Sequence, residues 1–400
     1  MGELLQLDCD VAVIGAGSAG ICASLYSSIN DAHTVLVEKK KIIGVPVRCG
    51  EFIPSKEVLK EMLPKARDVD NVYSLIPREA VVNRIRSIKF YSPRNRCFGF
   101  KFDGLVLKRD LMEQSITDKA AKDGVRVYTS SVVRGLKNDG HHKQVLVKND
   151  ASDMVLNAKV VVGADGFPSN VARWADMKIG YENSDMALTV QNVALNVDCD
   201  EDTVEMFTGN KYVPGGYGWI ITKGGKIANV GLGVRLSHLR SSKGPSIRNY
   251  FEAFIKHHPL VSEKLSKAEL TSFSAKMVPV GGEPIEICRG DVVLVGDAAG
   301  LVIATNGSGI PTAMVSGSIT GKVVPEYLRG NCELSVYPAR LREEVIPVIA
   351  RGVAYRRVAD LLMRSDRLFD TALRLIGAGN VSQILQCKKN FWSDLLQKIF

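Results

Sequence analysis

Short apolar runs that pass directly into glycine-rich turns recur along this chain. Residues 10–14 lead into a glycine-rich turn at residues 15–20, and residues 19–28 then have the composition of a helix. A second apolar strand is predicted at residues 34–37 and a third at residues 291–295, before another glycine segment. Strand, glycine turn and helix in this order are typical of an α/β fold whose turns approach a nucleotide.

A different pattern between these units predicts an antiparallel hairpin. Residues 217–222 and 227–234 read as two strands around the turn Lys223-Gly224-Gly225-Lys226. Alternation along the first strand puts Tyr217, Trp219 and Ile221 on one face and glycines on the other. This aromatic face is either a groove for an apolar chain or part of an ordinary core, and the pattern alone does not decide between them.

The first glycine stretch has the spacing of a dinucleotide turn. Its residues are Gly15, Ala16, Gly17, Ser18, Ala19 and Gly20. The first glycine permits the turn, the second lets the backbone approach a pyrophosphate, and the third allows helix–strand packing. Glu38 follows the second strand and suits a ribose 2′-hydroxyl, although it could instead be a solvated partner of the lysines after it, beginning with Lys39.

The late segment favours FAD over a nicotinamide nucleotide. Gly296 and Asp297 end the third strand, and small residues continue through Gly307, Ser308, Gly309 and Ile310. The Asp297 carboxylate can accept hydrogen bonds from ribityl hydroxyls, and a helix that starts near Pro311 can direct its N-terminus at the pyrimidine edge of a flavin. The alternative is an ordinary strand–loop–helix unit with glycines in its turns. Together with Gly163-Ala164-Asp165-Gly166, the glycine stretches predict one chain wrapped around one FAD.

At this point the chain resembles the geranylgeranyl reductase family of flavoproteins, which have the para-hydroxybenzoate hydroxylase fold. The resemblance covers roughly residues 8–325 and is most specific at Arg48-Cys49-Gly50-Glu51. It also includes Asp165 and Gly166 with Ser169 and Arg173, Arg109 in a Lys-Arg-Asp sequence, and residues 214–219 with 231–233. It implies that Arg48, Cys49, Gly50, Arg109, Val133, Asp165 and Gly166 join the glycine residues, Glu38 and Lys39 in cofactor binding, and that Cys49, Tyr217 and Trp219 act on the substrate.

The fold that the resemblance implies is a Rossmann-like FAD domain with an antiparallel-sheet substrate domain and a helical C-terminal region. We expect the FAD domain at residues 1–78, 104–175 and 276–330, the substrate domain at 79–103 and 176–275, and several helices in 331–400.

The family reaction is reduction of isolated double bonds in prenyl chains such as geranylgeranyl groups on membrane-lipid precursors. An isolated alkene needs a hydride from reduced flavin and a proton on the other carbon, and Cys49 or a water molecule beside it is the candidate for the proton step. The electron donor is external: a ferredoxin, a reduced deazaflavin or NAD(P)H. The alternatives are a flavin monooxygenase of the same fold that uses NAD(P)H and oxygen on an aromatic or isoprenoid substrate, a quinone-linked dehydrogenase, or a prenyl-lipid carrier that keeps FAD as a structural element.

The chain also departs from the family pattern in two places. Ile220 and Ile221 stand where the family usually has Phe-Pro, and residues 301–305 lack the usual proline-containing turn. We expect these changes to line the substrate and flavin side of the pocket, where they bear on the identity of the substrate, and to leave the flavin site intact.

Composition adds limits on partners and location. The formal net charge is +9, but no nucleic-acid recognition motif accompanies it, and the eight cysteines show no metal-ligand spacing. No apolar run is long enough to span a membrane, so we expect a cytoplasmic monomer, at most peripheral on the cytoplasmic membrane face. A helical apolar stripe formed by Val381, Ile384, Leu385, Trp392, Leu395, Leu396 and Ile399, with Lys388 and Lys389 beside it, either rests on an anionic membrane or packs against the protein.

Overall fold

The computed structural model describes residues 5–140, 142–149, 152–239 and 244–388. Over these ranges the chain forms two eight-stranded sheets with helices on their faces. The strands are β1 (Leu5–Ile14), β2 (Thr34–Val37), β3 (Phe52–Pro54), β4 (Val81–Tyr91), β5 (Cys97–Leu107), β6 (Arg126–Tyr128), β7 (Ser131–Asn138), β8 (Lys143–Asn149), β9 (Met154–Gly163), β10 (Met186–Leu195), β11 (Thr203–Phe207), β12 (Tyr217–Gly224), β13 (Ile227–Arg235), β14 (Glu269–Pro279), β15 (Cys288–Arg289) and β16 (Val292–Leu294). The α-helices are α1 (Ser18–Ile29), α2 (Lys56–Met62), α3 (Val69–Ser74), α4 (Arg109–Lys122), α5 (Asn170–Trp174), α6 (Ile247–His257), α7 (Pro259–Lys264), α8 (Ile310–Leu328), α9 (Val336–Glu344), α10 (Ile346–Leu362) and α11 (Asp366–Leu385).

The first sheet brings the three glycine stretches to one edge. Its strands follow the order β15-β16-β9-β1-β2-β6, and β16, β9, β1, β2 and β6 run parallel. Ile14 pairs with Gly163, and Gly163 pairs with Leu294, so the carboxyl ends of β1, β9 and β16 are level. The turns that follow these strands therefore start side by side, at the edge where parallel sheets hold their ligands.

Helices α1 and α8 pack closely on each other over this sheet. A Cβ atom at Gly317 would lie 2.2 Å from the Ala19 carbonyl oxygen, and one at Gly321 would lie 2.7 Å from that of Ala23. The glycines in α8 thus allow the two helix backbones to approach, which fixes the N-termini of both helices relative to the sheet edge.

The second sheet confirms the predicted hairpin. Its order is β14-β10-β13-β12-β11-β4-β5-β3, antiparallel except for the parallel pair β4–β11. Strands β12 and β13 pair from Tyr217 with Gly233 to Gly224 with Ile227, and Gly225 and Lys226 both have positive φ in the tight turn. One face of the sheet is covered by α6 through Phe251 and Phe254, and the other is covered by α11.

Two of the predicted domain boundaries fall inside strands of the second sheet. The boundaries expected at 103/104 and 275/276 fall within β5 and β14, because each strand pairs along its whole length in the second sheet. Residues 52–54, expected in the FAD domain, pair with β5 as an edge strand of the same sheet. The expected helical C-terminal region is present as α9, α10 and α11.

Candidate active site

The first glycine turn forms an open cradle at the sheet edge. Gly15 has φ +104°, and a Cβ there would lie 2.4 Å from the Ala164 carbonyl oxygen. A Cβ at Gly20 would lie 1.9 Å from the Gly15 carbonyl oxygen, whereas at Gly17 the nearest atom would be an Arg109 nitrogen 3.8 Å away. Gly15 and Gly20 are therefore required by packing, and Gly17 faces open space at the uncapped N-terminus of α1. This is an arrangement that fits a pyrophosphate.

Glu38 is bound to this turn rather than exposed beside its lysines. Its side chain is 7% exposed and accepts hydrogen bonds from the backbone N–H of Ala16 at 2.7 Å and of Lys40 at 3.0 Å. The carboxylate thus lies where β2 ends and the glycine turn begins. This position supports the predicted role in ribose binding, and the burial does not match the alternative of a solvated lysine partner.

The buried carboxylate of Glu113, which the sequence pattern did not single out, holds Ser18 and Arg109 at the glycine cradle. The Glu113 Oε1 atom accepts from Ser18 Oγ at 2.9 Å and from Arg109 Nε at 2.8 Å, and Glu113 is 2% exposed. Arg109 starts α4, so this contact holds its guanidinium next to the first turn of α1. A fixed cation at this position suits the charge of a bound pyrophosphate.

The late glycine segment carries an ion pair at the cavity. Lys276 Nζ lies 2.5 Å from Asp297 Oδ2. Burial works to raise the pKa of Asp297, but Lys276 and Arg109 outweigh it and hold this pKa below its ordinary value. The carboxylate is therefore ionised and acceptor-only, as hydrogen bonding to ribityl hydroxyls requires. Gly309 lies against it at the start of α8, which has no side-chain cap.

The carboxylate of Asp165 stabilises the start of a neighbouring helix. It accepts hydrogen bonds from the Ser169 hydroxyl at 2.7 Å and from the backbone N–H groups of Asn170 at 2.7 Å and Val171 at 3.1 Å. It thereby caps the start of α5, and its neighbours Ala164 and Gly166 line the cavity in its place. The Asp165 side chain is thus bound to α5, and a cofactor contact of this residue stays a prediction.

The Cys49 loop lies between the two sheets and is held by polar side chains of the second one. The Cys49 carbonyl oxygen accepts from Gln191 Nε2 at 3.0 Å and from Asn229 Nδ2 at 3.3 Å. Glu51, with φ +62° and 2% exposure, accepts from the backbone N–H of Arg109 at 2.9 Å and pairs with Lys223. The loop therefore joins α4 of the nucleotide side to β10, β12 and β13 of the substrate side.

One continuous cavity runs from the glycine cradle past Cys49 into an apolar chamber. Tyr217 and Trp219 line it as predicted, and Ile221 continues the same face. The Tyr217 hydroxyl donates to the Asn306 carbonyl oxygen at 2.5 Å, and burial, with the nearby Cys49 thiol, raises the pKa of Tyr217. The remaining chamber wall is contributed by Phe52, Pro54, Met62, Ile88, Phe102, Val204, Met206 and Leu385.

The predicted site residues differ in their position relative to the cavity. Those that line the cavity are Gly17, Ser18, Ala19, Arg48, Cys49, Gly50, Arg109, Gly166, Tyr217, Trp219, Asp297, Gly307, Ser308, Gly309 and Ile310. Gly15, Ala16, Gly20, Glu38 and Gly296 support the cradle from behind. Val133 lies on β7, which starts beside Glu38 through a hydrogen bond from the Ser131 N–H, and Lys39 is exposed.

Comparison with known proteins agrees with this geometry. Residues 185–278 match a family model described as the geranylgeranyl reductase catalytic domain. A digeranylgeranylglycerophospholipid reductase of Methanocaldococcus jannaschii is 33% identical over 378 residues, which cover 92% of this chain and 90% of that protein. The chain belongs to the geranylgeranyl reductase family. A Methanococcus aeolicus protein of the same name is also 33% identical, over 90% of this chain and 88% of its own length.

Solved structures extend the family assignment to the fold. A geranylgeranyl bacteriochlorophyll reductase-like protein of Thermoplasma acidophilum aligns with a TM-score of 0.85 and 25% identity, over 99% of this chain and all of the other. A flavin-dependent brominase aligns with a TM-score of 0.74 and 15% identity over 98% of each chain, which shows the shared fold alone. The predicted family and flavoprotein fold are therefore confirmed, and this member of the geranylgeranyl reductase family is an FAD-dependent oxidoreductase.

The positions at which this family member departs from the usual pattern do not all reach the cavity. Ile221, Val302 and Ala304 line it. Ile220 is fully buried on the opposite face of β12, in the cluster with Phe254, and Ile303 packs in the core of the first sheet. Ile221, Val302 and Ala304 therefore have the pocket position expected of these changes, and Ile220 and Ile303 do not.

The polar residues of the site that were missed from the sequence include Glu113, Gln191, Asn229 and Lys276. Asn229 and Gln191 carried a signal, since a polar residue within an apolar strand, here Ile227–Arg235 and Met186–Leu195, needs a buried partner. Glu113 and Lys276 lie in segments with exposed or mixed patterns, so nothing local marks them. No helix in the described part of the chain is long and apolar enough to cross a bilayer.

Proposed function

We propose that this protein is an FAD-dependent reductase that saturates isolated double bonds of prenyl chains, geranylgeranyl groups in particular, on membrane-lipid precursors. The observation that carries the proposal is the continuity of the cavity. The glycine cradle, the Cys49 loop and the apolar chamber form a single space. The names of relatives that share a third of the sequence over nine-tenths of the chain support the same substrate class.

Residues at different positions along this cavity have different proposed roles. Gly17 and the N-terminus of α1, with Arg109 fixed by Glu113, would hold the pyrophosphate, and Glu38 the adenosine ribose. Bound and reduced, FAD supplies the hydride. Tyr217, Trp219 and Ile221 orient the apolar chain and exclude water, which an unactivated alkene requires.

Cys49 is the proposed origin of the proton, directly or through a water molecule that it positions. It lines the cavity where the glycine cradle meets the aromatic face. The side chains that hold its loop contact its carbonyl oxygen, and its Sγ atom accepts from the backbone N–H of Glu51 at 3.3 Å, which leaves the thiol proton free to be donated. A thiol fixed in this way can deliver a proton to one alkene carbon while the other receives the hydride.

We further propose an external electron donor, a ferredoxin, a reduced deazaflavin or NAD(P)H, and a monomer that contacts the membrane peripherally. A membrane-lipid substrate supports the last point, since its prenyl chains must leave the bilayer to enter the chamber.

An anaerobic single-turnover experiment tests the proposal. The purified flavoprotein is reduced chemically and mixed with geranylgeranyl-bearing glycerolipid, and flavin absorbance and lipid mass are followed together. Reoxidation of the flavin with a gain of one H2 for each reduced double bond is the expected result. A flavin that stays reduced until oxygen is admitted, and then yields oxygenated lipid, would establish the monooxygenase alternative instead.

A further inference from the structure

The outer face of α11 combines exposed leucines with arginines. Leu375 is 82% exposed and Leu368 is 49% exposed, and Arg367, Thr371 and Arg374 are exposed between and beside them. These positions repeat at spacings of three, four and seven residues, so they share one face of the helix. A monomeric protein rarely leaves such large apolar side chains together in water without a use for them.

The same pattern continues at the end of α10. Leu361 is 44% exposed, with Arg357 on the turn before it and Arg364 just after it. We call Leu361, Leu368 and Leu375, with Arg357, Arg364, Arg367 and Arg374, the α10–α11 surface.

The acidic residues of this segment all face the protein. Asp360 pairs with Arg235 at 3.3 Å and with Arg356 at 3.9 Å. Asp366 accepts from the backbone N–H of Asn210 at 2.9 Å, and Asp370, 3% exposed, accepts from the Ser92 hydroxyl.

The charged side chains on the outer face of this segment are therefore all positive. Within the described ranges, none of the four outward arginines of the α10–α11 surface forms an ion pair. Three leucines surrounded by unpaired guanidinium groups have the chemistry that binds a bilayer with anionic headgroups, where leucines enter the acyl boundary and arginines contact phosphates.

The inner face of the same helix closes the substrate chamber. Phe369, Leu373 and Val381 are buried against the second sheet in one cluster with Trp219, and Leu385 lines the chamber itself. The helix thus has the apolar cavity on one side and the leucine–arginine face on the other. It is broken at Gly377, whose φ of 72° and ψ of 170° suit glycine and whose Cβ position meets no other atom.

We infer that the α10–α11 surface is the membrane-docking face of this protein and that its partner is a bilayer containing anionic phospholipid. The inference rests on the proposed function for its purpose, since it would place the chamber next to the source of a prenyl lipid. Its evidence, however, is the surface itself: leucine exposure, the inward acids and the four unpaired arginines.

Vesicle flotation of the purified holoenzyme tests this inference without any turnover. Phosphatidylcholine vesicles are compared with vesicles that also contain phosphatidylglycerol. We expect wild-type protein to float with the anionic vesicles and to be released by salt. Replacing Arg367 and Arg374 by Gln should weaken binding about thirtyfold, at the strength usual for two arginines near an anionic surface, and Leu368→Ser with Leu375→Ser should weaken binding to a similar extent.

Ile285→Ser is the matched control, because Ile285 is 72% exposed on the loop between β14 and β15 and is not part of the α10–α11 surface. It should float like wild type, and all variants should retain flavin and melt at the wild-type temperature. The inference is overturned if the leucine or arginine variants float as wild type does, or if wild type stays with the soluble fraction. It is also overturned if the face instead mediates a dimer in vesicle-free solution that Leu375→Ser abolishes.

The two proposals fail separately. A protein that reduces geranylgeranyl lipid presented in detergent micelles but does not float contradicts the docking face alone. A protein that floats through this face but never reduces the lipid contradicts the proposed reaction alone.

Discussion

The indole N–H of Trp219 donates a hydrogen bond to Asn229 Oδ1 over 2.8 Å, between neighbouring strands of the hairpin. The other end of the Asn229 amide donates to the Cys49 carbonyl oxygen. A single buried amide therefore fixes both the aromatic wall of the chamber and the loop with the proposed proton source. Its loss leaves buried donors and acceptors unpaired, at a cost of about 1–3 kcal/mol.

The substitution Asn229→Asp separates these two contacts. The carboxylate that it introduces would keep an acceptor for Trp219 but lose the donor to Cys49, so we expect kcat for alkene reduction to fall about tenfold with little change in KM. Asn229→Leu, which removes both contacts, should lower kcat further and raise KM for the prenyl lipid. Steady-state kinetics with flavin content as the control measures this, and a fall in flavin content without a change in kcat per flavin would contradict a positioning role.

We expect the Cys49 thiol to be needed for reduction of the alkene but not for reduction of the flavin. Cys49→Ala should slow alkene reduction at least about a hundredfold, in the range of general-acid contributions, while chemical reduction of the flavin proceeds at the wild-type rate. Stopped-flow measurement of the two half-reactions separates them. Equal rates of alkene reduction in the variant and the wild type would remove Cys49 from the mechanism.

Gly50 sets the space between the Cys49 loop and the chamber wall. A Cβ at this position would lie 2.7 Å from Ile221 Cδ1, the end of a flexible side chain. Gly50→Ala should therefore push Ile221 into the chamber and raise KM for the prenyl lipid several-fold, and adding Ile221→Val should restore much of it by removing the displaced methyl group. Gly99→Ala, where a Cβ meets nothing within 4 Å, is the control. Additive rather than compensating effects in the double variant would show that Gly50 acts in another way.

The sequence predicted the parts of this site that are local. Each glycine turn follows its own apolar strand, and the hairpin around Gly225 is marked by its residues, so both could be located before the structure. Their meeting at one sheet edge depends on the register Ile14–Gly163–Leu294, which no local pattern encodes. The three glycine stretches together predicted that they surround one FAD, but not which strands pair.

The contacts that the sequence did not predict join residues far apart in the chain. Glu113 reaches Ser18 across 95 positions, and Gln191 reaches Cys49 across 142. The first pair depends on how α4 packs against α1, and the second on how the Cys49 loop meets the second sheet. The residue types themselves are ordinary for exposed helices and strands.

The predicted C-terminal stripe illustrates the same limit. Val381 and Leu385 are buried against the protein, which agrees with the packing alternative, and Ile384 packs on the core of the first sheet. Lys389, Trp392, Leu395, Leu396 and Ile399 lie outside the described residues. The exposed residues Leu368 and Leu375 belong to the preceding turns of α11, and Leu361 belongs to α10. The tertiary structure determines which face of each helix stays exposed.

The pair formed by Lys276 and Asp297 is expected to support the cofactor end of the site. Lys276→Met would leave the Asp297 carboxylate partly buried without its nearest cation, which costs about 1–3 kcal/mol. We expect lower flavin content and a lower melting temperature at neutral pH, with Lys276→Arg close to wild type. Because the pKa of Asp297 is held low by Lys276, this loss should shrink as the pH falls towards the ordinary pKa of an aspartate. A Lys276→Met protein that retains flavin and melts as wild type does would contradict the assignment.

His258 should make the stability of this protein depend on pH. The side chain is 3% exposed among the rings of Phe207, Tyr212 and Phe254, and burial, with the charge of Lys211, lowers its pKa to about 4. In the unfolded chain this histidine has a pKa of about 6.5 and binds a proton below that pH. In the folded chain His258 stays neutral down to about pH 4, so protons favour the unfolded chain in this range. The contribution of a neutral His258 is therefore complete above about pH 6.5 and is lost progressively below it, with a total on the order of 3 kcal/mol.

Thermal melts of two single variants across this range isolate the effect. His258→Leu should flatten the fall in melting temperature between about pH 6.5 and about pH 4, since nothing in that aromatic cage then titrates. His257→Leu, at the exposed neighbouring position, should leave the slope as in wild type. The same slope in both variants would mean that buried carboxylates, and not His258, set the acid sensitivity of the fold.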